Sequence, residues 1–344
     1  MGILVDDIGS FPLPSDVDRK LFNKAYLLAR EAMINGKNVK NDDFLTNNFY
    51  RVIVDSFRKK LSTGLDVVNY PQHYDIHEQF TEAIHNAMSG GTYAVEEKHA
   101  IIPEVFVVKE EAKRLCEETG KKILLRVCVT GPMELYLKEV GTTPYLDILT
   151  MFAETTRRFA ENAVLDSKYV KTEVVSIDEP SFGLRDISAD KDVLLDVMKK
   201  TFDFSGAIKQ IHLHSSSRVV DTLEIRNLDV LSFEYAASPK NIEAVSRKTL
   251  EGADKRIRVG ITRTDVDSIT AELYHRGTTR PAPKQLVENE ETIRRRFAKA
   301  KEKFGDRMTF TGPDCGLGGW PTQEAAQLLL RRTVNAVKSV KTSL

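Results

Sequence analysis

Eight short apolar, β-rich runs alternate with long stretches of helical period from one end of the 344-residue chain to the other, and that order leaves few folds open. The runs are Ile3–Ile8, Leu65–Asn69, Lys122–Val129, Val174–Ile177, Ile208–His212, Val230–Phe233, Arg256–Ile261 and Met308–Thr311. Between them lie charge-studded segments such as Asp42–Ser62, Tyr145–Lys168, Lys191–Phe204, Asn241–Leu250, Glu290–Phe304 and Gln323–Val340. Their apolar residues recur at helical spacing, as at Phe152, Phe159 and Ala163. Repeated strand–helix order implies a parallel sheet, and eight such units predict an α/β fold of the (β/α)8 TIM-barrel type. A doubly wound open sheet is the competitor. It would normally carry a Gly-rich phosphate loop after an early strand, and Ile8-Gly9-Ser10-Phe11 is not one.

No Gly/Ser-rich or Pro-rich linker divides the chain, so residues 1–344 read as one barrel domain with three additions. These are a helical segment at about Ser15–Gly36, a hairpin-like excursion over Thr81–Pro103 turning at Ser89-Gly90-Gly91, and a long polar loop, Thr262–Gln285. Fifty Lys plus Arg balance fifty Asp plus Glu, which gives no surplus positive charge for nucleic acid. No stretch approaches the roughly 18 apolar residues of a membrane span, and the N-terminus lacks the basic start and apolar run of a signal peptide. Three cysteines, Cys116, Cys128 and Cys315, make no disulfide framework. A soluble, cytoplasmic protein is expected.

Chemistry in such a barrel collects at the C-terminal ends of the strands. Here those ends read Gly9-Ser10, Asn69-Tyr70-Pro71-Gln72, Thr130-Gly131-Pro132, Asp178-Glu179-Pro180, His212-Leu213-His214, Glu234 and Asp314-Cys315-Gly316. Side chains repeat every two residues on a strand, so His212 and His214 point the same way and form a two-nitrogen clamp. By itself such a pair is more often an ordinary polar strand end. With Glu234 and Cys315 it becomes a set of N, O and S donors, which suits zinc better than the all-oxygen shells of magnesium or calcium. His73 and His77 also stand four apart, but no Glu general base lies between them as in the metalloprotease pattern. The run Arg294-Arg295-Arg296 follows Glu288, Glu290 and Glu291, and reads as a solvated helix face.

These residues carry a resemblance. The segments Ile8-Gly9-Ser10-Phe11-Pro12, Gly64-Leu65-Asp66-Val67, Thr130-Gly131-Pro132, Ile177-Asp178-Glu179-Pro180, His212-x-His214, Glu234 and Gly312-Pro313-Asp314-Cys315-Gly316-Leu317 follow one another over nearly the whole chain. In that order they resemble the C-terminal catalytic barrel of cobalamin-independent methionine synthase, in its short core form. The resemblance implies zinc ligation by His212, Glu234 and Cys315, with His214 where the family has cysteine. It also implies a substrate site at Gly9 and Ser10, with Ser10 on the homocysteine carboxylate and Asp178 on its amino group. One thiolate fewer leaves the zinc complex more positive, so a bound thiol should ionise more easily yet be a weaker nucleophile. Gln72 aligns with a family carboxylate that also holds the amino group. The family's Asp-x-His-Ser segment has only Asp265-Val266-Asp267-Ser268 as counterpart, which leaves Asp267 as the candidate catalytic group there.

The expectation is therefore a zinc-dependent methyltransferase making methionine from homocysteine, with a methylcorrinoid or a methyl-folate or pterin as donor. A corrinoid protein would be a partner for the first donor. One alternative is a related zinc enzyme alkylating another thiol such as coenzyme M, which Gln72 and His214 favour. Another is a non-catalytic partner subunit of a split synthase, acting beside a separate N-terminal-like subunit.

Overall fold

Alternation along the strands sets the layers of the fold. In the computed structural model, which describes residues 2–342, Leu125, Val127 and Val129 pack into the main apolar cluster with helix residues such as Leu115 and Phe159. Arg126 and Cys128, between them, turn the other way, into the barrel. The strands are β1 (Leu4–Val5), β2 (Val68–Asn69), β3 (Ile123–Thr130), β4 (Val170–Asp178), β5 (Ile208–Leu213), β6 (Val230–Phe233), β7 (Arg256–Thr262) and β8 (Met308–Pro313). They form one sheet in the order β1-β8-β7-β6-β5-β4-β3-β2, and every pairing is parallel. Closure comes at β1 and β2, through the parallel bridge Asp6–Val67 and the bonds from Asp66 N and Val67 N to Val5 O at 2.8 and 3.2 Å. The fold is the (β/α)8 barrel expected from the strand–helix order.

Inside the barrel an apolar floor of Val67, Val174, Val230 and Phe310, joined by Leu4, Leu124 and Ile208, fills the N-terminal end. Above it lies a buried charged layer, where Arg126 and Arg258 share the carboxylate of Asp6. One row of paired residues then climbs from this layer to the mouth: Arg258 beside Ser232, Ser232 beside His212, and His212 beside Asp178. The tilt of the strands thus brings four neighbouring strands to one place.

Three expectations for the connections need correcting. The Thr81–Pro103 excursion is no hairpin: it continues the helix Glu78–Met88 and ends in a 3-10 turn at Glu97–His99, with Gly91 at φ +83° turning the chain after the helix. Asn241–Leu250 is not one helix, because the Ser246 side chain accepts the Thr249 N–H and starts a new helix at Arg247–Gly252 after a 3-10 turn over Pro239–Glu243. The polar stretch Thr262–Gln285 contains a helix, Val266–His275, whose Val266, Ile269 and Leu273 pack on Leu286, Leu317 and Trp320. The N-terminal addition is the helix Arg19–Ile34, as its period suggested. Arg296, read as solvated, is half-buried and makes a two-bond ion pair with Glu288 at 2.6 and 2.8 Å. Among the described residues no helix is long and apolar enough to cross a membrane.

Candidate metal centre

His212, His214, Glu234 and Cys315 meet at the C-terminal mouth, each offering one ligand atom, and all four atoms lie within 4.8 Å of one another. His214 Nε2 stands 3.4 Å from Cys315 Sγ and 3.7 Å from Glu234 Oε1. His212 is buried, and its Nδ1 faces Ser232 Oγ at 3.1 Å, while its Nε2 has no hydrogen-bond partner among the described residues. An imidazole fixed through one nitrogen, with the other aimed bare into a cluster of donors, is how a metal ligand is presented. Burial pushes the Cys315 thiol up to about 12, helped by Glu234, and Glu234 itself to about 8, while both imidazoles are pushed below their usual range. On their own, then, the two acids keep their protons at neutral pH. A divalent cation is the partner able to displace them, and the mixed N, O, S set fits zinc.

The loops carrying these donors are tied together by backbone capture. Asp314 is fully buried and accepts the N–H groups of Tyr235, Ala236 and Ala237 at 3.0, 3.0 and 2.6 Å, which fastens the turn after Glu234 to the turn before Cys315. Gly260 is where β7 leaves room for it: a Cβ there would lie 2.1 Å from Asp314 Oδ1. Asn241 donates to Glu234 O at 2.8 Å and to His214 O at 3.4 Å, joining the ends of β5 and β6. Glu179 turns away from the mouth and accepts the N–H groups of Met133 and Glu134 at 2.9 and 2.8 Å, at the start of the helix Pro132–Glu139.

Around the cluster stand the groups singled out for substrate. Asp178 ends β4 half-buried, receives the Ser176 hydroxyl at 2.7 Å, and is raised by burial to about 6 against the pull of Ser176 and Arg126. Ser10 Oγ accepts the Gly318 N–H at 3.1 Å, which leaves its own proton free to donate. Gly9 needs to be glycine: its φ is +66°, and a Cβ would sit 3.1 Å from Gly316 Cα. Gln72 is buried with φ +48°, rare for a side-chain-bearing residue, and its Oε1 has no partner among the described residues. Asp267 is exposed in the helix Val266–His275 and does not belong to the four-donor cluster. Nor do His73 and His77: His73 is buried against Phe11 O and Ser56 Oγ, and His77 pairs with Glu134 at 2.9 Å.

The sequence reading passed over the layer beneath. Arg126 and Arg258 are fully buried with a single carboxylate, Asp6, between them, and Arg258 also donates to Pro313 O at 2.8 Å. A lone arginine in an apolar run does not announce which face it takes. The signal was parity, since Arg126 stands two before Cys128 and Arg258 two before Gly260, on the inward register of their strands.

No protein-family model matches the chain. It is 22% identical over 311 residues to a methionine synthase of Methanocaldococcus jannaschii, covering 86% of this chain and 91% of that protein. Its structure resembles a B12-independent methionine synthase from Shewanella sp. W3-18-1, solved in complex with selenomethionine, with a TM-score of 0.62, 14% identity and 99% of each chain covered. A methyltransferase from Methanosarcina mazei follows at a TM-score of 0.54 and 14% identity, over 97% of this chain and 94% of that one. In sequence the chain is thus similar to a methionine synthase over most of its length, and it shares its barrel fold with the two solved structures.

Proposed function

We propose that the protein is a zinc-dependent methyltransferase that methylates the thiol of homocysteine to give methionine. The convergence of His212, His214, Glu234 and Cys315 at the barrel mouth, in a methionine synthase-like chain, is the observation that carries this reading. Zinc held by these four would lower the pKa of a substrate thiol and so supply thiolate at neutral pH. With its proton released to solvent, such a thiolate would attack the donor's methyl carbon, the new S–C bond forming as the donor–carbon bond breaks and leaves its electron pair on the donor. Asp178 is the charged acceptor for the substrate ammonium, with the bare Oε1 of buried Gln72 as a second, uncharged one. The free proton of Ser10 suits the substrate carboxylate. The donor is a methylcorrinoid, delivered free or on a corrinoid protein, or a methyl-folate or pterin.

The test is elemental analysis of the purified protein, then methyl transfer to homocysteine and to coenzyme M from methylcobalamin and from methyltetrahydrofolate. About one zinc per chain is expected, and Cys315→Ala should lose most of it. Stoichiometric zinc retained in that variant removes Cys315 from the site. Because Gln72 replaces a family carboxylate, transfer to coenzyme M alone would shift the reading to another thiol. Zinc without transfer to either thiol would favour a non-catalytic partner of a split synthase.

A further inference from the structure

We infer that Ser176 and Gln210 are positioning residues that hold Asp178 as a fixed hydrogen-bond acceptor for the substrate's ammonium, an inference resting on the role proposed above for Asp178. The argument is one of direction. Arginine has only donors, so Arg126, itself held by Asp6, must donate to Gln210 Oε1 at 3.3 Å. That fixes the amide, and Gln210 Nε2 donates to Ser176 Oγ at 3.2 Å. With its oxygen accepting from Gln210, Ser176 spends its one proton on Asp178 Oδ1, 2.7 Å away. Beside this row Cys128, paired with Ser176 across β3 and β4, accepts the Gly9 N–H at 3.3 Å. Asp178 therefore receives its side-chain donor from inside the barrel. What remains for the mouth side is an acceptor, complementary to an ammonium and indifferent to a ligand without one. Arg126, Gln210 and Ser176, inward on β3, β5 and β4, are fully buried, so water does not compete for the bonds that lead up to Asp178.

The experiment compares homocysteine with 4-mercaptobutyrate, the same thiol acid without its amino group, on the zinc-loaded enzyme. KM and kcat are read from turnover and Kd from calorimetry. Ser176→Ala should raise KM and Kd for homocysteine about ten-fold, the size of one charge-assisted hydrogen bond, with kcat little changed. The same variant should leave 4-mercaptobutyrate within two-fold or so, and Ser176→Thr, which restores the hydroxyl, should recover most of the loss. Gln210→Leu should act in the same direction by about three-fold, since Ser176 can still donate but is no longer forced to. Equal losses for both thiols, or no loss for either, overturn the inference. Asp178→Asn separates it from the reading beneath: if that variant treats the two thiols alike while keeping its zinc, Asp178 is not the ammonium acceptor and both fall. If Asp178→Asn discriminates and Ser176→Ala does not, only the positioning chain is wrong.

Discussion

Glu104 and His73 are neighbours whose burial pulls stability in opposite directions. Glu104 is fully buried, takes the His73 N–H at 2.9 Å on one oxygen, and is raised by burial to about 8. His73 is lowered by burial to about 3. Phe11 O can only accept, so Nδ1 carries the N–H that reaches it at 3.0 Å, and Nε2 of the neutral ring takes the proton of Ser56, whose Oγ accepts from Gln323. The imidazole is thus built in neutral, and protonation would cost a bond as well as solvation. For the histidine the folded state binds fewer protons than the unfolded one, so stability falls as pH drops from about 6.5 towards 3. For the glutamate the folded state binds more, so stability present below the unfolded value near 4.5 is lost as pH rises through about 8. Glu104→Gln, which mimics the protonated acid, should therefore match the parent near pH 5 and exceed it at pH 8, by up to roughly 4 kcal/mol. Urea melts of both proteins at the two pH values check this, and a constant difference between them would refute it. None of this was legible beforehand. His73 and Glu104 lie 31 positions apart, and sequence spacing gives no hint that one caps the other's backbone.

The elements around the donors owe their order to carboxylates that touch no substrate. Asp314 holds three N–H groups at the start of the turn after β6, and Ala in its place would leave them buried without an acceptor. Asp314→Ala should cost several kcal/mol, at about 1–3 per orphaned group before relaxation, and should weaken zinc binding because Glu234 and Cys315 lose their common tie. A melt and a zinc competition titration read the two effects; an unfolding shift with zinc affinity unchanged would mean that the donors are positioned without it. At this scale the sequence was informative for a physical reason. Strand ends in a parallel barrel all face one mouth, so His212, His214, Glu234 and Cys315 could be grouped from strand assignment and period alone. The connections obey no such rule. The apolar face of Val266–His275 is only three residues wide in a polar stretch, and it becomes meaningful once Leu286 and Trp320, distant in the chain, supply the surface it packs on.

The barrel as a whole is uneven around its circumference. From β3 to β8 every ladder pairs four residues or more, with local register shifts in β3–β4 and β7–β8, but β1 and β2 have two residues each and meet through one bridge. Side chains stand in for the missing ladder. Asp66 Oδ2 accepts Val5 N at 2.8 Å and Asp7 Oδ1 accepts Asn69 N at 2.8 Å, while buried Lys60 sits 2.6 Å from Asp7 Oδ2 and donates to Asn69 O at 2.7 Å. These ties come from Ser10's side of the mouth, next to the substrate groups. Their consequence is one of time rather than geometry. A seam closed by a handful of side-chain bonds opens more often than one closed by a ladder, so its amides should exchange with deuterium ahead of the rest. Val5, Val67 and Asn69 should exchange through local opening, and Val127 and Ile211 only when the whole barrel unfolds. Lys60→Met strands the Asp7 charge in the interior, a loss of about 3–5 kcal/mol, and should quicken exchange at the seam by more than a hundred-fold while the protein still melts cooperatively. Uniform exchange around the ring would show the seam to be as firm as the ladders. Otherwise the barrel keeps a preferred place to breathe, and it lies beside the loop that carries Ser10.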